Sequence, residues 1–253
     1  MITLQDFCYE DLFKDLNLFI VKNKITVISG ANNCGKTLLI RILNREIVTS
    51  NTVLIDQAEM NQYTIEEYSK LVQCIIPLEI TYEQPTLEEE MFYYNDNKEE
   101  IEKTIKGLKL KRSIHKKIKD LTTKEIVLSQ IAIALIKKSS IILLDNIRMY
   151  LTEKETKEVI EFLKKQQNER EITVVITTIH LEESLLADYL YIIGNKSVAL
   201  EGQPIEVLQN DNKINKLGLS LPFMIDLSVK LKDYDLIKEV EIDKNRMIEK
   251  LWK

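Results

Sequence analysis

The stretch GANNCGKT, Gly30 to Thr37, decides the fold. It fits the pattern G-x-x-x-x-G-K-[ST], and each residue type in it suits one task. Backbone N–H groups of a tight loop converge on phosphate oxygens, and the dipole of a following helix adds positive potential. Gly35 lets the backbone approach closely, Lys36 neutralises the outer phosphates, and the Thr37 hydroxyl is placed to ligate Mg2+. The flanks have the required form. KITVISG before the loop reads as a strand. TLLIRILNREI after it carries apolar residues at helical spacing: Leu38, Leu39, Ile42, Leu43 and Ile47. The candidate nucleotide contacts are therefore Gly30, Ala31, Asn32, Asn33, Cys34, Gly35, Lys36, Thr37 and Leu38. Cys34 has two readings: a small residue filling the loop, or a thiol made reactive by the loop amides and Lys36.

A second stretch, SIILLDNIRMYL from Ser140 to Leu151, reads as a buried strand ending on Asp145. An acid at the C-terminal end of such a strand lies at the ligand-binding edge of an α/β sheet. There Asp145 would hold Mg2+ together with Thr37; the alternative is that it caps the next helix. The following residue is Asn146, where a hydrolytic site would want a carboxylate. An amide can orient water but cannot accept its proton.

Working outward, strands alternate with helices, which predicts a mostly parallel α/β sheet. MITLQDF and LNLFIVK open the chain as short strands, and NTVLID and VQCII are two more. From Pro77 to about Ser139 the chain turns helical and highly charged, with a capping box at Thr86 and Glu89. SSIILLD returns to strand, TEKETKEVIEFLKKQQ is an amphipathic helix, ITVVITT a strand and LEESLLADY a helix. YLYIIGN and SVALEG form a closing hairpin turning at Asn195-Lys196, and PIEVLQN starts a final helix, with a tail from about Asp211. The expected division is a core of residues 1–76 and 139–210, a helical insertion at 77–138, and a C-terminal extension at 211–253.

Bulk properties exclude several classes. Hydrophobic residues at 45% support a core, and charged residues at 30% support a polar exterior. A net charge of −5 gives no general case for nucleic-acid binding. The basic run GLKLKRSIHKKIK is read as a solvated helical face, with an anionic-headgroup or nucleic-acid contact as the alternative. No apolar run approaches a bilayer span of ~18 residues, and MITLQDFCYEDLF lacks the layout of a secretory signal. Cys8, Cys34 and Cys74 are scattered, which suits a reducing compartment, and two histidines without CxxC make a zinc site unexpected.

The cradle, the helical insertion and the Asp-ended strand, in this order, resemble an ABC-type ATPase subunit. The resemblance spans nearly the whole chain. Phe7-Cys8-Tyr9 resembles the family's opening motif, which puts adenine stacking on Tyr9; ordinary strand packing is the other reading. IEEYSKLVQCII resembles the approach to the glutamine loop, and YLYIIGNKSVALEGQPIEVL the hairpin and helix that end the core. The tail INKLGLSLPFMIDLSVKL resembles the extension of energy-coupling-factor ATPases, which serve cobalt and vitamin uptake. Without the family, Phe223, Met224, Leu227 and Leu231 mark one face of a helix. The resemblance implies a P-loop NTPase core with an N-terminal antiparallel β subdomain and an inserted helical subdomain. It also implies ATP and Mg2+ as cofactors, a second ABC ATPase subunit and an integral membrane transporter subunit as partners, no nucleic acid, and a peripheral place on the cytoplasmic face of the cell membrane.

The departures are as informative. Pro77 stands at the family's glutamine, LTTKE (Leu121 to Glu125) at its Leu-Ser-Gly-Gly-Gln motif, and Asn146 at its glutamate. MYLT (Met149 to Thr152) replaces Ser-x-Leu-Asp. Ile179 stands at the switch histidine, with His180 one position on, either a shifted replacement or a surface residue. LTTKE lacks glycine, so backbone approach to a partner's γ-phosphate is hindered, and Glu125 adds a charge that Lys124 is expected to offset. Losing one such donor costs ~10²–10³ in rate, and losing a general base ~10²–10⁴. The expectation is a chain that binds Mg-ATP, hydrolyses it weakly, and works as a heterodimer. The alternative is a non-catalytic regulatory or scaffold subunit. Phe92, Tyr93 and Tyr94 are open between subdomain core and membrane-partner contact.

Overall fold

The computed structural model describes residues 1–76 and 82–252. The chain opens with β1 (Ile2–Tyr9) and β2 (Phe13–Ile20); β3 (Ile25–Gly30) and α1 (Lys36–Leu43) flank the glycine loop. Next come β4 (Val53–Ile55), β5 (Ala58–Glu59), α2 (Ile65–Leu71) and β6 (Val72–Ile75). Three helices follow: α3 (Leu87–Tyr94), α4 (Lys98–Gly107) and α5 (Thr123–Ile136). β7 (Ile141–Asp145), α6 (Glu153–Arg170), β8 (Thr173–Thr178), β9 (Tyr189–Gly194) and β10 (Ser197–Gly202) return to α/β alternation. α7 (Pro204–Leu208) is not the final helix expected: α8 (Asp211–Lys216), α9 (Phe223–Asp233) and α10 (Lys244–Leu251) follow it in the extension.

The strands form two sheets. The N-terminal sheet is antiparallel, in the order β2-β1-β4-β5. The central sheet runs β10-β9-β3-β8-β7-β6, parallel except for the β9–β10 hairpin. That hairpin turns on Asn195 and Lys196, both with positive φ, as a tight two-residue turn requires. The central strands are apolar throughout because both faces are covered. Ile141 and Leu143 face the core shared with the antiparallel sheet and α1. Ile142 and Leu144 face the core shared with α5, α6 and the helical insertion.

Four helices begin alike, with Thr at the N-cap and Glu three residues on: Thr64–Glu67, Thr86–Glu89, Thr122–Glu125 and Thr152–Glu155. In each the hydroxyl accepts the glutamate's N–H, and the carboxylate accepts the threonine's N–H. α1 departs from this pattern: its N-cap is Gly35, no side chain caps it, and its first turn holds no acid.

α6 joins core and insertion. Val159, Ile160 and Leu163 sit in the core, and Gln167 donates to Asn23 O at 2.8 Å. A second stripe of the same helix meets the insertion through ion pairs. Glu155 pairs with Lys124, Glu158 with Lys109, Glu169 with Lys103, and Arg170 with Glu100. Between them Gly107 lies so close to Phe162 that an added Cβ would stand 2.1 Å from the ring.

Three local expectations change. LEESLLADY folds as a 3₁₀ turn, Leu181–Leu186, because few residues separate β8 from β9 and Asp188 must bend back to accept the Ile25 N–H at 2.8 Å. The basic run after α4 is a chain of turns, not a helical face. Leu108, Leu110, Ser113 and Ile114 anchor it, while His115 pairs with Glu88 and Lys116 with Glu125. In α9 the buried face is Ile225, Ser228 and Val229, and Phe223 is exposed. Of the aromatic trio, Phe92 and Tyr94 pack on the core, and Tyr93 is exposed.

Candidate functional site

The glycine loop leaves the C-terminal end of β3, with β8 and β9 on either side. Asn33 and Gly35 both take positive φ, 63° and 98°. They flank Cys34, whose N–H donates to Ala31 O at 3.4 Å, and a turn of this kind is the backbone setting in which N–H groups can make an anion-binding concavity. Glycine is required at both ends. A Cβ on Gly30 would meet Cys34 Sγ at 2.5 Å and Ile193 O at 2.7 Å, and one on Gly35 would meet the Phe13 ring at 2.5 Å. The Lys36 side chain is buried and turned back over the loop. Its Nζ donates to Gly30 O at 2.7 Å and Ala31 O at 2.8 Å, and lies 3.6 Å from Cys34 Sγ. A cation at the mouth, amides in the wall and an uncapped α1 make a site chemically fit for a polyphosphate. Asn32 and Asn33 are exposed on the loop, and Ala31 and Leu38 are half-buried at its two ends.

Asp145 ends β7, with β8 between it and β3. Two strand spacings put it roughly 10 Å from the loop's strand, a gap suited to a hydrated cation. Its register partner is Thr177, whose hydroxyl donates to its carboxylate. Thr37 and Asp145 offer only two hard oxygen donors. That suits Mg2+, which keeps several waters and takes its other ligands from phosphate. Asn146 follows with φ 46° and ψ 48°, a left-handed conformation that Asn tolerates. Its N–H donates to Thr177 O at 2.9 Å, and its side-chain oxygen is buried without a hydrogen-bond partner.

The start of α5 is built in the opposite sense to α1. Glu125 folds back over it, and its Oε2 accepts the Thr122 N–H at 2.8 Å and hydroxyl at 3.0 Å. Its Oε1 accepts Lys116 Nζ at 2.7 Å and the Ser113 hydroxyl. Burial pulls this carboxyl upward, but Lys116, Ser113 and Thr122 outweigh it and hold it down at about 2. The expected offset by Lys124 is corrected: Lys124 pairs with Glu155 at 2.8 Å, and Lys116 is the counter-ion of Glu125. Lys116 precedes α5 by seven positions across a turn, so sequence proximity favoured the wrong lysine.

The other candidates are dispersed. Tyr9 is half-buried opposite Phe13 in the β1–β2 hairpin and packs on the core. Met149 is exposed, and Thr152 caps α6. His180 begins the 3₁₀ turn, its N–H donating to Thr178 Oγ1 at 3.0 Å. Burial, then the positive Arg148, lowers its pKa below the ordinary imidazole value. Pro77 lies outside the described residues. The sequence reading missed Thr177, Phe13, Ser113 and Lys116. Thr177 had one usable signal, a hydroxyl at the end of the strand ITVVITT.

A family model described as "ABC transporter" matches residues 13–148. Among curated relatives, a "Putative ABC transporter ATP-binding protein" of Methanosarcina mazei is 25% identical, aligned over 86% of this chain and 40% of its own length. This chain thus spans well under half of that relative. An "Energy-coupling factor transporter ATP-binding protein EcfA1" of Mycoplasma mobile is 25% identical over 87% of this chain and 84% of its own. Another, from Mesomycoplasma hyopneumoniae, is 22% identical over 100% and 98%. Among solved structures, cbiO1 from Clostridium perfringens, described as part of the ABC transporter complex cbiONQ, aligns with TM-score 0.71. It is 20% identical, over 89% of this chain and 97% of that one. A dimeric bacterial ABC transporter cassette aligns with TM-score 0.68 and 20% identity, over 81% and 99%.

Proposed function

The chain belongs to the ABC transporter family as an ATP-binding domain, and from that premise we propose that it is the nucleotide-holding subunit of an energy-coupling-factor-type membrane importer. It binds Mg-ATP at its own cradle, through Gly30 to Leu38, with Tyr9 at the base and Thr37 and Asp145 on the metal. It hydrolyses ATP weakly, because Asn146 occupies the base position. It works as a heterodimer with a better-equipped ATPase subunit and transmits nucleotide-driven closure to an integral membrane partner. That partner holds the chain at the cytoplasmic face of the membrane; no described helix is long and apolar enough to cross a membrane.

One observation carries this reading: the two helix N-termini that matter are built in opposite senses. α1 is uncapped where the glycine loop enters it, whereas α5 is closed by Glu125, which occupies the N-cap N–H itself. A chain so built takes a nucleotide of its own and offers little to the nucleotide of a partner. The family of the relatives, and the names they carry, support the importer. The closed α5 and Asn146 also favour a second reading, a regulatory or scaffold subunit that binds ATP without turnover.

The test is purification of the chain from its native membrane. Recovery with an integral membrane protein and a second ABC ATPase is the expected result; a chain recovered without either ends the importer reading. ATP turnover of that complex separates the two readings. Its abolition on disabling the cradle of this chain (Lys36→Ala) supports the importer subunit, and unchanged turnover supports the scaffold. The isolated chain should turn over ATP ~10²–10⁴-fold below a subunit with an intact base.

A further inference from the structure

The end of β8 carries a hydroxyl inside the core. Thr177 is 0% exposed, so its proton must go to a protein acceptor. Two lie in reach: Asp145 Oδ1, to which it donates, and Leu144 O, farther away at 3.4 Å. Strand register holds the pair together. Thr177 stands opposite Asp145 in the β7–β8 ladder, and Thr177 O accepts the Asn146 N–H at 2.9 Å. The strand before it reads Val174, Val175, Ile176, and a valine would fill the same space while leaving Oδ1 without a donor.

Side-chain alternation puts Asp145 on the face of β7 that Ile141 and Leu143 turn toward α1. That is the helix whose first turn holds Thr37. The two carboxylate oxygens are not equivalent there. Oδ1 is taken by Thr177. Oδ2 has no hydrogen-bond partner among the described residues, and it keeps accessible surface, unlike the enclosed side-chain oxygen of Asn146.

Two divalent cations that ATP can carry ask different things of such a carboxylate. Mg2+ keeps its waters in a tight octahedron and needs one acceptor in a fixed place. Ca2+ takes more oxygens in looser geometry and readily chelates both oxygens of one carboxylate. A carboxylate with one oxygen tied to a buried hydroxyl suits the first and obstructs the second.

We propose that Thr177 is a positioning and selectivity residue: by holding Oδ1 of Asp145 it fixes Oδ2 toward the nucleotide's metal and favours Mg2+ over Ca2+. This rests on the reading above, in which Asp145 serves the metal of a nucleotide held in this chain's own cradle.

ATP binding to the full chain is measured by calorimetric titration in EDTA, in saturating Mg2+ and in saturating Ca2+. Wild type should bind ATP more tightly with Mg2+ than with Ca2+. Thr177→Val should weaken the Mg2+ form about fivefold to tenfold, the scale of one intramolecular hydrogen bond, and leave the EDTA and Ca2+ forms within about twofold. Thr177→Ser keeps the hydroxyl and should stay within about twofold of wild type in all three. A Thr177→Val variant that keeps the wild-type ratio of Mg2+ to Ca2+ affinity overturns the proposal, whether its affinities are unchanged or all weakened alike, as a merely structural residue would leave them. So does a wild type that binds ATP as tightly with Ca2+ as with Mg2+, a result that needs no variant to fold. Wild-type ATP binding that ignores metal altogether ends the metal reading and the proposal together. Metal-dependent binding with an unmoved Thr177→Val ratio ends the proposal alone.

Discussion

Replacing Glu125 by Gln tests the closed end of α5. Gln keeps the shape and one acceptor for the Thr122 N–H, but it abolishes the charge that Lys116 faces at 2.7 Å. The carboxyl is held at about 2 against an ordinary 4.5, which corresponds to at most about 3.4 kcal/mol at neutral pH. This is a helix end with solvent on one side, and screening reduces the figure to roughly 1–2 kcal/mol. For a chain of this size that is a fall in Tm of roughly 2–8 °C. The pH dependence has a definite sign. The folded pKa is depressed, so the contribution is fully present above the unfolded value of 4.5 and disappears as pH falls toward about 2. Urea melts of wild type and variant should therefore differ at pH 7 and converge as the pH drops below 4.5. A double-mutant cycle with Lys116→Met should assign most of the difference to the pair. ATP affinity of the isolated chain should stay within about twofold, because α5 does not serve its own cradle. A Glu125→Gln variant as stable as wild type at pH 7, or a difference that persists unchanged into acid, refutes the reasoning.

Other outcomes follow from the same structure. Gly35→Ala should abolish ATP binding and lower stability by about 2 kcal/mol or more, since its Cβ meets the Phe13 ring and its φ is 98°; calorimetric titration and a melt read both. Asn146→Glu should raise turnover, but by less than the ~10²–10⁴ of a well-placed base, because a left-handed backbone disfavours Glu by about 1–2 kcal/mol. A phosphate-release assay on the purified complex measures it. Arg170→Met should cost about 2 kcal/mol, leaving a half-buried Glu100 without its ion partner at 2.8 Å, while Asn95 still donates to Glu100 and the Lys138 N–H still serves Leu135 O. ATP affinity should be unchanged, as urea melts and equilibrium binding would show.

Elements whose signals are local were legible in advance. The glycine loop is one, since its glycines, lysine and threonine act within eight consecutive residues. The turn at Asn195-Lys196 is another, because its left-handed backbone is a property of those two residues. The capping box at Thr86 and Glu89 belongs here too, and LTTKE contains the same box at Thr122 and Glu125. There the missing glycines are the louder signal, and the cap that closes α5 lies beneath them. What stayed hidden depends on partners distant in sequence. Lys124 sits beside Glu125 in the chain and points to Glu155, while Lys116 reaches Glu125 across a turn. Thr177 reaches Asp145 through strand register, which no single segment encodes.

The sequence by itself determined the class of the molecule, the glycine loop between strand and helix, and the Asp145-Asn146 pair at the end of a buried strand. These depend on short-range backbone geometry and on residue chemistry. Tertiary structure alone decided which charges cancel. It turned Lys36 back onto the loop carbonyls, closed α5 with Glu125, paired that acid with Lys116, and tied α6 to the insertion. The reason is physical: an ion pair depends on a separation of a few ångströms, and only the folded chain sets that separation for residues far apart in sequence.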